Sequence, residues 1–120
     1  MKKILIIDDD ISHLAATRSL LEEEGYAVYT HGETFGTTNL VRQIKPDLVL
    51  LDINMPALSG DQLAKLLKGN AHTWKVPLVF YSSNDEDSLR QYARKFGAQG
   101  YICKGDPAIL RSRVAALLNL

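Results

Sequence analysis

The chain has almost no cysteine. A single thiol, Cys103, cannot form an internal disulfide, which argues against a stapled secreted scaffold and for a reducing compartment. There is no excess of either charge. Lys+Arg and Asp+Glu are both 14, and the basic residues are scattered, so no electrostatic pull toward nucleic acid or a membrane surface is expected. Long apolar runs are missing too. Nothing approaches the roughly 18–20 apolar residues that a bilayer-spanning helix needs. Met1-Lys2-Lys3 precedes only Ile4 to Ile7 before three aspartates, too short a core for a secretory signal. Repeats, low-complexity tracts and linkers are also lacking. The expectation is a cytoplasmic protein folded as one domain over residues 1–120, with no membrane contact and no nucleic-acid binding.

What is present has the balance of a soluble globular domain, 46% apolar and 23% charged. It is organised around residues 46–56. Leu48 to Leu51 is an unbroken apolar run, which predicts a strand buried on both faces, as in a parallel sheet with helices on each side. Pro46 keeps the preceding residue out of a helix. The run stops at Asp52, and Asn54-Met55-Pro56 reads as the turn leaving the sheet. On this stretch alone Asp52 is equally a loop cap and a functional carboxylate. Ile4 to Ile7 is a second such run, ending at Asp8-Asp9-Asp10.

The rest alternates helix and strand. A helix is predicted over 11–24, facing inward with Ile11, Leu14, Ala15, Arg18 and Leu21, capped by Asp10 and ended by Gly25. Tyr26 to Thr30 is a strand nearer the sheet edge. A short, late-starting helix lies within 33–44, where Gly36, Thr37 and Thr38 are poor helix formers. Ser59 caps a helix through Lys68, buried on Leu63, Leu66 and Leu67. Val76 to Tyr81 is the fourth strand, 86–96 the fourth helix (inner face Leu89, Ala93, Phe96), and Gly100 to Cys103 the fifth strand. Asp106-Pro107 opens a last helix to about Leu118, with Ile109, Leu110, Val114 and Leu117 inward. Five alternations imply a parallel sheet with right-handed crossovers and helices on both faces.

At the carboxyl ends of these strands stand Asp8 and Asp9, Asp52, Ser82 and Lys104, and an open parallel sheet lines such ends along one edge. Three carboxylates at close range need a counter-charge. An all-oxygen acidic cluster suits a hard cation, Mg²⁺ best. Asp52 can then act as a nucleophile toward phosphorus, with Lys104 offsetting charge on the phosphoryl oxygens and the Ser82 hydroxyl donating to one of them. The plainer reading of Ser82 is a strand-end hydroxyl bonding backbone. Asp10 reads as a cap and Cys103 as a buried small residue. His13, His31 and His72 share no metal-ligand spacing and are assigned to the surface.

Four motifs in this order, Ile7-Asp8-Asp9, Leu51-Asp52-Ile53-Asn54-Met55-Pro56, Ser82-Ser83 after Pro77, and Tyr101-Ile102-Cys103-Lys104, make the chain closely resemble the receiver domain of bacterial two-component response regulators, from Lys2 to about Leu118. The resemblance implies a flavodoxin-like, doubly wound five-stranded parallel sheet of order 2-1-3-4-5 with five helices. It implies that Asp52 is the phosphoacceptor. Asp8 and Asp9 would hold Mg²⁺ or Mn²⁺ with Asp52 and the Asn54 backbone carbonyl, and Ser82 and Tyr101 would form a switch pair. Read without the resemblance, Tyr101 is an ordinary strand aromatic. The family usually places proline after the lysine, joined by a cis peptide. Here that residue is Gly105, and because a cis bond without proline costs about 2.5–4 kcal/mol, a different path is expected there. The 33–41 segment also looks longer than usual.

The implied phosphodonor is a histidine kinase or histidine phosphotransfer protein. The implied output is a protein partner or a phosphorylation-promoted homodimer, reached through the fourth helix, fifth strand and fifth helix. The domain would be no enzyme beyond handling its own phosphoryl group. Three rivals remain: a pseudo-receiver that only binds, a flavin or nucleotide module on the same fold, and a hydrolase with an aspartyl-phosphate intermediate. The second would need a Gly/Ser/Thr-rich phosphate cradle where three aspartates stand. The third lacks an added acid/base or cap domain.

Overall fold

A computed structural model describes residues 1–55 and 59–119; the Pro56 of the expected exit turn lies outside the described residues. Five strands and five helices alternate: β1 (Lys3–Ile7), α1 (Ile11–Glu23), β2 (Ala27–His31), α2 (Thr37–Ile44), β3 (Leu48–Leu51), α3 (Gly60–Lys68), β4 (Leu78–Ser82), α4 (Glu86–Phe96), β5 (Gly100–Cys103) and α5 (Pro107–Leu118). All strand pairs are parallel, in the order β2-β1-β3-β4-β5. The expected flavodoxin-like topology is therefore the observed one.

The apolar runs explain the layering. Successive side chains on a strand point to opposite faces. Leu5, Ile7, Val49, Leu51, Leu78 and Phe80 pack under α2, α3 and α4, through Val41, Leu63, Leu67 and Leu89. Ile4, Ile6, Leu48, Leu50, Val79 and Tyr81 pack under α1 and α5, through Leu14, Leu21, Leu110 and Val114. With helices on both sides neither strand face meets water, so no alternation survives in the central strands.

Helix ends follow local chemistry. Asp10 caps α1, its carboxylate accepting from the His13 amide at 3.0 Å, and Gly25 follows with φ +92°. α2 does start late, after Gly36 at φ +80°. Asp106 caps α5 through the Ala108 amide, with Pro107 opening the helix.

Three helix faces differ from the periodicity reading. α1 buries Leu14, Thr17 and Leu21, while Ile11, Ala15 and Arg18 are exposed. The first turn of α1 sits at the sheet's rim, so Ile11 finds no layer beneath it. α3 buries Ala64 rather than Leu66, and α5 buries Leu118 while leaving Ile109 about half exposed. In each, a smaller or more distal residue lies nearer the sheet, and packing overrides the apolar count.

Candidate functional site

The backbone rungs that continue the sheet past its strands fix the site. The Asp52 amide donates to the Ile7 carbonyl at 3.0 Å, the Lys104 amide to Ser82 at 2.9 Å, and the Asp8 amide to His31 at 3.2 Å. Ile7 pairs with Leu51 in register, so Asp8 and Asp52 emerge side by side. Ser82 ends β4 and Lys104 follows β5. Four of the expected residues thus meet at one edge because the strand order makes them neighbours.

Asp8, Asp52 and Ser82 are buried; Asp9 is exposed. Lys104 Nζ bridges the two buried carboxylates, 2.6 Å from Asp8 Oδ2 and 3.5 Å from Asp52 Oδ2. Ser82 Oγ lies 2.7 Å from Asp52 Oδ1 and 2.8 Å from Asn84 Oδ1. Its single proton can serve only one of them, and the carboxylate is the stronger acceptor. The Asn54 amide also donates to Asp52 Oδ1, at 3.3 Å.

The electrostatics are asymmetric. Burial pushes both carboxyls up. At Asp8 the Lys104 hydrogen bond, the Asp10 amide and nearby positive charge more than offset this, and its pKa is held below the usual value. At Asp52 burial prevails over the Ser82 hydrogen bond and Lys104, with the Asp8 charge adding to it, and the pKa is raised. Burial would lower Lys104, but its Asp8 hydrogen bond and the two carboxylates raise it. One ammonium is shared unequally, with Asp8 its closer partner.

Asp8, Asp9 and Asp52 can bring one carboxylate oxygen each within 4.8 Å of one another. An all-oxygen set with one exposed member fits a hard dication that keeps several waters.

Residues 4–115 match the response regulator receiver domain family. The chain belongs to that family. Receiver domains are signalling domains of two-component systems, and they bind Mg²⁺ at an acidic pocket. This receiver is 33% identical to the protein PilH of Pseudomonas aeruginosa over 104 residues, covering 87% of this chain and 86% of that protein. It is 30% identical to the polar-differentiation response regulator DivK of Brucella anthropi, covering 86% and 84%. It spans only 49% of a longer relative, the alkaline phosphatase synthesis regulator PhoP of Bacillus subtilis, at 30% identity. The BeF3-activated N-terminal receiver domain of Klebsiella pneumoniae RstA superposes with a TM-score of 0.89 at 29% identity, covering 99% of this chain and 100% of that one.

Tyr101 stands apart from the cluster. Its hydroxyl donates to Glu86 Oε1 at 3.0 Å, with the Arg90 and Arg113 guanidiniums 5.9 and 5.8 Å from its ring centre. Two residues of the receiver's site escaped the sequence reading. Asn84 accepts from the Asn54 side-chain amide and sits beside Ser82; its only signal was its place two residues after the serine. His13 is not the surface residue expected. Its Nδ1 lies 3.0 Å from Asp8 Oδ2 and its side chain is only 26% exposed, because the first turn of α1 brings position 13 back to Asp8 and against the Tyr81 ring of β4. His31 is likewise half-buried, its Nε2 2.7 Å from the Phe35 carbonyl. Among the described residues no peptide bond is cis, and Gly105 takes φ +127°, which side chains rarely allow. No helix of the described residues is long and apolar enough to cross a membrane.

Proposed function

We propose that residues 1–120 form a single phosphoacceptor receiver, and that Asp52 takes a phosphoryl group from a phosphohistidine on a histidine kinase or histidine phosphotransfer protein. The observation that supports this best is the polarity around Asp52. One oxygen meets the Ser82 hydroxyl and the other faces the Lys104 ammonium. In the transfer, an Asp52 carboxylate oxygen forms a bond to phosphorus while the bond from phosphorus to the donor imidazole nitrogen breaks. The electron pair returns to that imidazole. Lys104 turns from Asp8 toward the phosphoryl oxygens, and the Ser82 hydroxyl donates to one of them. Positioning and charge supply the rate, as phosphoryl transfer requires. Asp8, Asp9, Asp52 and the Asn54 carbonyl hold Mg²⁺ or Mn²⁺, which when bound neutralises charge on the transferred group. Hydrolysis of the acyl phosphate is the only other chemistry assigned to the domain.

Output follows from the same serine. A phosphoryl group on Asp52 takes the Ser82 hydroxyl from the carboxylate onto a phosphoryl oxygen and favours an inward Tyr101, shifting a two-state equilibrium, and the surface of α4, β5 and α5 then meets a protein partner or a second copy. The domain contacts no nucleic acid by itself. The test is intact-mass measurement after incubation with a small acyl phosphate, with and without Mg²⁺. One metal-dependent, hydroxylamine-labile phosphoryl group is expected, absent in Asp52→Asn. Undiminished labelling of that variant overturns the assignment. So does metal binding with no labelling, which is the pseudo-receiver result.

A further inference from the structure

We infer that His13 is a positioning residue for the acidic cluster. It holds Asp8 in its metal-binding orientation when Lys104 leaves it. The inference rests on the proposed phosphoacceptor reading and deepens it.

The Asp8 carboxylate is 2% exposed and every contact it makes is an accepted one. Oδ1 accepts from the Asp10 amide at 3.0 Å, and Oδ2 accepts from Lys104 Nζ at 2.6 Å. The third donor is His13, 3.0 Å from Oδ2. An ionised carboxylate can only accept, so Nδ1 must carry the proton, and the opposite ring nitrogen is free of that duty. The ring is fixed from two further sides. Its backbone amide is held by the Asp10 cap, and its face lies 5.3 Å from the Tyr81 ring centre, tilted by 40°.

Lys104 cannot stay where it is through the reaction. It sits nearer Asp8 than Asp52, yet the developing phosphoryl charge lies on the Asp52 side. Its departure would strip a buried oxygen of its strongest donor, a loss that is costly in a site so withdrawn from water. The imidazole remains on the same oxygen. It keeps that oxygen satisfied and keeps Asp8 from rotating away from Asp9 and Asp52. Hydrogen bonds to a metal-ligating carboxylate are a common outer support of this kind, and losing one weakens metal affinity about 10–100-fold.

Two measurements on the full chain test this. First, two-bond ¹H–¹⁵N NMR of the metal-free protein should show His13 with its proton on Nδ1. A neutral ring protonated only on Nε2 would overturn the inference. Second, calorimetric Mg²⁺ titration should show His13→Phe binding about tenfold more weakly than the native chain. His13→Asn, whose amide nitrogen falls near the Nδ1 position, should recover most of that loss. Phenylalanine preserves the packing on Tyr81, so thermal midpoints should stay close while the affinity changes, a split that a merely structural role would not give. His13→Phe within about twofold of native affinity, below the range for such supports, overturns the positioning role alone. A native chain that takes up no Mg²⁺ overturns the metal reading beneath it as well.

Discussion

Gly60→Ala should damage both the fold and the acceptor. Gly60 opens α3, and its amide donates to the Ile53 carbonyl at 2.9 Å. This draws the helix end onto the chain that has just left β3. A Cβ at this position would collide with the Asp52 carbonyl oxygen, lie 2.7 Å from the Asp52 carbonyl carbon and 2.8 Å from Ile53 Cα. Carbon atoms settle at about 3.5–4.0 Å, so α3 and the end of β3 must part by about 1 Å. Every atom struck is backbone, and no side-chain rotation relieves it. Overpacking of this kind costs about 1–3 kcal/mol and occasionally more. The upper end applies, because two packed elements must separate. Alanine's better helix propensity returns at most about 1 kcal/mol. The net expectation is a loss of about 2–3 kcal/mol, near 10 °C in Tm for a domain of this size. Urea and thermal unfolding followed by far-UV circular dichroism measure it. Gly69→Ala is the control. That glycine has ordinary helical angles, and a Cβ there would come no closer than 3.3 Å to a carbonyl oxygen, so a change within about 0.5 kcal/mol is expected. A Gly60→Ala protein as stable as that control would refute the reasoning. So would a destabilised one whose Asp52 is still labelled by acyl phosphate at the native rate.

Asp52→Asn should stabilise the metal-free protein at neutral pH. The Asp52 pKa is raised by burial above its ordinary 3.8, so its ionised form opposes folding. As pH falls through the raised value the native carboxyl protonates first, and the advantage of asparagine should close toward pH 3.8; thermal melts across that range showing a constant difference would contradict it. Lys104→Met should cost about 3 kcal/mol at neutral pH, the usual result of removing one partner of a buried pair. The folded protein holds the Asp8 pKa below 3.8 and the Lys104 pKa above 10.5. The pair's stabilisation is therefore complete between those values, is lost as pH falls through the depressed Asp8 pKa, and is lost again as pH rises through the Lys104 pKa. Denaturant midpoints of the two proteins should converge at both extremes and differ most between them.

The central strands were legible because nothing competes with their signal: Ile4–Ile7 and Leu48–Leu51 are continuous and end in carboxylates. The acidic pair followed from them, since two strand ends adjacent in the sheet must place Asp8 and Asp52 together. Helix phase was harder. In α1 both Ile11-Ala15-Arg18 and Leu14-Thr17-Leu21 have helical spacing. The choice between them is made by the packing of Leu14 and Leu21 in one cluster with the sheet residues Ile6, Val28 and Tyr81, which no local pattern encodes. The miss at His13 has the same origin. Its reach to Asp8 depends on the phase of α1, and that phase is set by packing on the sheet and α5 rather than by the helix's own sequence. Asn84 was hidden for a different reason. Its role lies in a loop, where a two-residue offset from Ser82 specifies a position only once the backbone path is known.

Charge explains why these late-found residues gather where they do. Asp8, Asp9 and Asp52 oppose one ammonium, leaving about two units of negative charge at a largely buried edge. The fold tolerates this because the sheet rungs at Ile7, Ser82 and His31 pin the backbone, and the repulsion cannot be relieved by moving the strands apart. A divalent cation cancels the imbalance, and phosphorylation of Asp52, which exchanges a carboxylate of one negative charge for an acyl phosphate of about two, brings about one negative charge back. In the proposed transfer Lys104 must then serve both carboxylates at different stages. Each of its anchors therefore needs a second donor that stays behind: the Ser82 hydroxyl and Asn54 amide at Asp52, and the Asp10 amide and His13 at Asp8. On that reading Lys104 can leave Asp8 because neither carboxylate depends on it alone.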